Sequence, residues 1–119
     1  MQFSISNKTR RRVPRVKFEK IAEHILGKEY DLSLVFCTNA LSQELNKTYR
    51  DKDYPTNVLS FPVSESSGEI FINLAKLGAF SVVELFIHGC FHLKGMEHGD
   101  TMEKAEKAML HESSHRRWH

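Results

Sequence analysis

The chain has 119 residues, 27% charged and 40% apolar, with two cysteines and seven histidines. That describes one soluble globular domain spanning 1–119 and excludes two; a chain of this size buries about 65% of the surface its unfolded form exposes, so its core needs neither disulfides nor a structural metal. The net charge of +2 hides an asymmetry, because residues 1–28 carry eight Lys/Arg against Glu19 and Glu23, a balance of +6 that leaves −4 for the rest.

QFSIS (2–6) reads as a strand, and the basic run KTRRR (8–12) that follows is either a solvated surface or a face for phosphates. Val16, Ile21, Ala22, Ile25 and Leu26 recur at helical spacing over 15–27, ended by Gly27. DLSLVFC (31–37) is a second strand, and a helix follows from about Asn39 to Tyr49. After the polar turn DKDYPT come NVLSFPV (57–63) and EIFIN (69–73), two strand signals separated by SESSG, the pattern of a hairpin. From Ser81 onward the strand signal stops. Residues 81–94 and 100–112 read as two helices joined by KGMEHG. The expected fold is therefore α+β, about four strands packed with three to four helices.

The first residues lack the apolar core of a signal peptide, and the longest apolar-rich stretch, AFSVVELFIHGCFHL, is broken by Glu84 and two histidines. The expectation is a cytoplasmic protein with no membrane segment. Cys37 and Cys90 are then buried free thiols rather than a disulfide framework.

The sharpest feature is HGCFHLKGMEH (88–98). His88 and His92 are four residues apart and share a helix face, so both imidazoles can reach one ion. Gly95 lets the chain leave the helix, and the following residues can bring His98 to the same ion. Three nitrogens and one open position describe a catalytic zinc site on the central C-terminal helix and the turn after it, one ion per chain. Chance recurrence of histidine at both spacings is on the order of a few per cent. Cys90 points to nearly the opposite side of the helix and belongs to the core. Glu84 shares the face of His88, either as a partner orienting the imidazole or as a surface charge. His111, His115 and His119 also recur every four residues, but three such steps extend about 12 Å, too far for one ion; with Arg116, Arg117 and Trp118 they read as a surface tail.

In a zinc peptidase of the HExxH type a glutamate follows the first histidine as general base. Here that position is Gly89, which leaves Glu84, Glu69 or Glu97 to supply a base if the protein is a small metalloprotease-like hydrolase. A hydrolase without the adjacent glutamate remains feasible.

Three stretches, LNKTYRDKDYPTNVLSFP (45–62), GEIFIN (68–73) and HGCFHLKGMEHGD (88–100), together about a third of the chain, resemble the YbeY family of rRNA maturation endoribonucleases. The resemblance implies a zinc-dependent, single-strand-specific endoribonuclease acting in 16S rRNA 3′ end maturation and ribosome quality control, with single-stranded RNA and ribosomal subunits as partners and metal-activated water as the attacking group. It also implies that His88, His92 and His98 are the zinc ligands and that Arg50 is the family's arginine near the metal. An arginine there can hold a phosphate with two parallel hydrogen bonds and offset charge developing on its oxygens; the residues alone leave a salt bridge with Asp51 or Asp53 equally open. The family usually has Asp where Glu69 and Glu97 stand. Only 18 residues separate Glu69 from His88, where many members carry an additional helical segment, so a wider or more exposed cleft is expected beside the metal. A non-enzymatic ribosome-associated factor with structural zinc is the remaining alternative.

Overall fold

The strand signals assemble into one four-stranded sheet in the computed structural model, which describes residues 1–95 and 100–114. The elements are β1 (Phe3–Asn7), α1 (Phe18–Leu26), β2 (Asp31–Cys37), α2 (Asn39–Arg50), β3 (Val58–Ser64), β4 (Ser67–Asn73), α3 (Val82–Leu93) and α4 (Asp100–Ser114). The strand order is β1-β2-β4-β3. β2 runs parallel to both β1 and β4, with Leu34 opposite Ile5 and Ile70, and β3 returns antiparallel beside β4. The fold is α+β, as the element order predicts.

Strand position explains the sequence of each strand. β2 and β4 are central; β2 buries Leu34, Val35, Phe36 and Cys37 without alternation, as a strand covered on both faces should, whereas β4 alternates, burying Ile70 and Ile72 and leaving Glu69 and Phe71 partly open. β3 lies at an edge, where Pro62 can stand without breaking the ladder; the register shifts between Pro62 and Ser64. The hairpin is tighter than the five-residue SESSG loop suggests. Ser64 and Ser67 pair across the ladder and their hydroxyls lie 2.8 Å apart, leaving Glu65 and Ser66 as the turn.

Helix α3 packs on β3 and β4, and α1 packs on α3. Phe18, Ile21, Ala22 and Ile25 form the buried stripe of α1, and the Phe18 ring meets Phe36 at 5.9 Å and Phe86 at 5.0 Å. Phe18, Ile21 and Ile25 each contribute roughly 1.5–3 kcal/mol by leaving water. Tyr49 of α2 packs on Phe61, and Phe61 on Phe71; these residues alternate with Ser60 and Ile70, which face α3, so α2 covers the opposite face of the sheet.

One expectation needs adjusting. Helix α1 begins at Phe18 rather than Arg15, because the basic stretch before it is held as a loop. Thr9 bonds to Asn7 through both its amide and its hydroxyl, Asn7 Nδ2 donates to the Arg11 carbonyl, and Arg11 Nη1 donates to the Leu74 carbonyl at 3.1 Å. The cysteines behave as expected: both are buried and unbridged, and burial pushes the Cys37 thiol up to about 11 and the Cys90 thiol higher still. No described helix is long and apolar enough to cross a membrane.

The DKDYPT turn is stitched to its surroundings by buried polar side chains. Ser42 Oγ donates to the Thr56 carbonyl, and Asn46 Nδ2 to the Tyr54 carbonyl. Asn73 Nδ2 donates to Asn39 Oδ1 at 2.9 Å and to the Thr56 carbonyl at 3.1 Å, while its Oδ1 accepts from the Ala75 amide. Asn73→Ala removes all three bonds of a fully buried side chain, so it should lower unfolding stability by about 2–4 kcal/mol. Urea denaturation measures this; a change within about 0.5 kcal/mol, the range of an ordinary surface substitution, would show that Asn73 is not a clasp.

Candidate metal and phosphate site

Helix α3 is apolar around most of its surface and sits against the sheet, so its three polar side chains, Glu84, His88 and His92, must be accommodated deliberately. It starts at Ser81, whose Oγ accepts from the Glu84 amide while Glu84 Oε1 accepts from the Ser81 amide, a reciprocal capping box. Glu84 therefore anchors the helix start as a partly exposed surface charge, and the imidazole-orienting contact of His88 is made by another carboxylate.

Four residues further on, the histidine pair converges. His92 Nε2 lies 2.9 Å from His88 Nε2, with the rings perpendicular at 4.5 Å. The other nitrogen of His88, Nδ1, is 3.1 Å from Glu106 Oε1 on α4. An ionised carboxylate only accepts, so Nδ1 of His88 is the donor in this contact, and in the neutral imidazole that leaves the lone pair on Nε2. Nitrogens bound to one tetrahedral zinc lie about 3.3 Å apart, so this pair needs little adjustment to share an ion. Glu106 is then the carboxylate that fixes the imidazole's tautomer and orientation.

Among the described residues no group of three or more potential ligands is assembled. His98, with Glu97, falls outside the described residues, as do His115, Arg116, Arg117, Trp118 and His119. His111 is exposed on α4. Cys90 is fully buried in the core, away from the pair.

Gly89 explains itself by what it touches. A Cβ there would stand 2.9 Å from Ser60 Oγ and 3.1 Å from two carbons of Ile70, so the position is closed to any side chain that the neighbours do not move for. The glutamate of an HExxH peptidase has no room here. Glu69 cannot replace it: it alternates with Ile70, whose side chain faces α3, and so points to the other side of the sheet.

The same contact ties Arg50 to the histidines. Ser60 Oγ donates to the Gly89 carbonyl at 3.2 Å, and the Ser60 carbonyl accepts from Arg50 Nη2 at 2.9 Å. The guanidinium also lies 5.5 Å from the centre of the Phe61 ring. Of the aspartates weighed as its partners, Asp51 ends α2 in the left-handed conformation, with φ of 57°, and Asp53 accepts from Gln43 and pairs with Lys47. Arg50, Lys52, Tyr54, Ser60, His88 and His92 line one groove of about 540 Å³. A cationic wall and two convergent imidazole nitrogens thus face the same space.

Comparison with known proteins places this arrangement in context. The family model described as endoribonuclease YbeY matches residues 4–117. The endoribonuclease YbeY of Treponema denticola is 36% identical over 107 residues, covering 71% of this chain and 68% of that protein. That of Colwellia psychrerythraea is 36% identical over 100 residues, covering 67% of this chain and 63% of that protein. The chain thus spans roughly two thirds of the length of these curated relatives. The solution structure of a Thermotoga maritima protein superposes with a TM-score of 0.60 at 23% identity, covering 94% of this chain and 89% of that one, which supports the fold.

The role of Glu106 is open to direct measurement. Glu106→Ala should weaken zinc binding by roughly 10–100-fold, read by competition with a chromophoric chelator. Unchanged affinity in a folded variant would mean that the carboxylate does not orient His88.

Proposed function

The chain belongs to the YbeY family, and from that premise we propose that it is a zinc-dependent endoribonuclease that cuts single-stranded RNA. Its proposed setting is 16S rRNA 3′ end maturation and ribosome quality control in the cytoplasm, with RNA in ribosomal subunits as its partner. The observation that carries the reading is the convergence of His88 and His92 in a groove shared with Arg50, with Glu106 on the second nitrogen of His88.

His88, His92 and His98 would hold one ion through imidazole nitrogens, a donor set suited to zinc. When bound, zinc supplies a Lewis acid that polarises a phosphoryl oxygen and activates water. The chain's own groups do the rest. One Arg50 donor is spent on the Ser60 carbonyl, and the remaining N–H groups can grip a phosphate and offset charge growing on its oxygens. Because that hydrogen bond and the ring of Phe61 hold the guanidinium in place, little reorganisation accompanies the reaction. Lys52 adds positive charge to the same groove, and the fixed loop bearing Arg10, Arg11 and Arg12 offers a second cationic surface to the RNA backbone. Arg11 already spends one donor on Leu74, so Arg10 and Arg12 are the better placed for phosphate.

Cleavage of unstructured RNA, set beside cleavage of an unstructured protein by the same zinc-loaded preparation, tests the reading. The wild type should cut RNA and stop when zinc is chelated. His92→Ala should lose zinc and cleavage together, and Arg50→Ala should lower kcat by roughly 10²–10³ with zinc content and circular dichroism intact. Zinc-free wild type that still cuts RNA, or a preparation that cuts protein and not RNA, would overturn it.

A further inference from the structure

A second cavity, of about 350 Å³, flanks His88 beside the Arg50 groove. The two spaces share Asn57, Val58 and His88 as a common wall. Their chemistry is opposite. The Arg50 groove is polar and cationic, whereas this cavity is walled by Val58, Phe80, Leu85, Ile87 and Leu110. Its polar lining is mainly acidic, Glu84, Glu103 and Glu106 against Lys107. Phe80, in the segment before α3, is 53% exposed, an aromatic ring left at the rim rather than packed in the core.

Size, polarity and continuity narrow the occupant. The volume lies at the small end of the roughly 300–1,000 Å³ spanned by small-molecule sites, enough for one flat ring system. Three carboxylates repel a phosphate, so a phosphodiester belongs on the Arg50 side. An uncharged ring can enter, stack on Phe80 and meet the amide of Asn57, which both donates and accepts. A nucleotide straddling His88 would present its phosphate to one space and its base to the other.

We propose that this cavity is a nucleobase site, receiving the base of one nucleotide that flanks the phosphate held at Arg50. The assignment rests on the RNA-cleavage reading above. Stacking on an aromatic face tolerates any base, so the site supplies affinity and register for unpaired RNA without requiring a sequence. It also requires that the base be swung out of a helix, which a paired strand resists.

The test uses single-stranded RNA carrying an abasic residue on one or the other side of the cut. In the wild type one of the two abasic substrates should show KM raised roughly 5- to 150-fold. Phe80→Ala should raise KM on intact RNA within the same range and erase the abasic penalty, while Phe80→Tyr should retain wild-type behaviour. Wild-type KM indifferent to both abasic positions, or Phe80→Ala indistinguishable from wild type, would overturn the proposal. A binding arm separates it from the cleavage reading: adenosine, but not ribose 5-phosphate, should shift the amide resonances of Phe80 and Leu110 in the zinc-free protein. Those shifts in a protein that cuts no RNA would uphold the cavity and sink the nuclease. RNA cleavage without them, and without an abasic penalty, would do the reverse.

Discussion

The close approach of α3 to the sheet at Gly89 is the contact on which the rest depends. With no Cβ at that position, the helix settles against Ser60 and Ile70. Ser60 then bonds to the helix through its hydroxyl and to Arg50 through its carbonyl. One residue of an edge strand thereby sets the spacing between a guanidinium from α2 and two imidazoles from α3. A well-packed seam of this kind resists added volume, since overpacking typically costs 1–3 kcal/mol. The glycine that removes a peptidase's base is the same residue that brings the cationic wall to the histidines.

Burial and charge divide the labour around that seam. Helix α3 supplies rigidity through its apolar surface and keeps its histidine face partly open, with the His88 side chain 23% exposed. Helix α4 adds Glu106, which accepts from Nδ1 of His88 while Nε2 of the same ring faces His92. Rigid elements carry these groups, and the DKDYPT loop between α2 and β3 is pinned by Ser42, Asn46 and Asn73. Arg50 therefore leaves a fixed helix end rather than a mobile loop. The charge asymmetry of the chain has a structural counterpart as well: the basic run after β1 is a hydrogen-bonded loop anchored by Arg11 to the segment after β4.

Much of this was legible in the residues, and the parts that were not share a physical cause. Spacing of four in His88 and His92 is a property of one helix, so their convergence could be read directly. The strands of DLSLVFC and GEIFIN announced themselves by apolar content, and Ser81-Val-Val-Glu84 carried a capping-box signal that explains Glu84. Glu106 was missed because its partner sits on another helix, across a turn whose path no local pattern specifies. Ser60 looked like one more polar residue in a strand, and its role appears only when the edge position of β3 and the absence of a side chain at Gly89 are known together. The helix start at Phe18 escapes the pattern because Val16 fits the apolar period, while the preceding loop is held by bonds among Asn7, Thr9 and Arg11 and by one from Arg11 to Leu74, far along the chain.

The central claim is that a metal sits on imidazole nitrogens beside Arg50. X-ray absorption at the zinc edge, on protein loaded with one equivalent of zinc, tests it most directly. The account predicts a first shell of light atoms that includes histidine nitrogens at about 2.0–2.1 Å. A shell containing sulfur at about 2.3 Å would put the ion on cysteine, or a spectrum without imidazole scattering would put it elsewhere, and either would contradict the account.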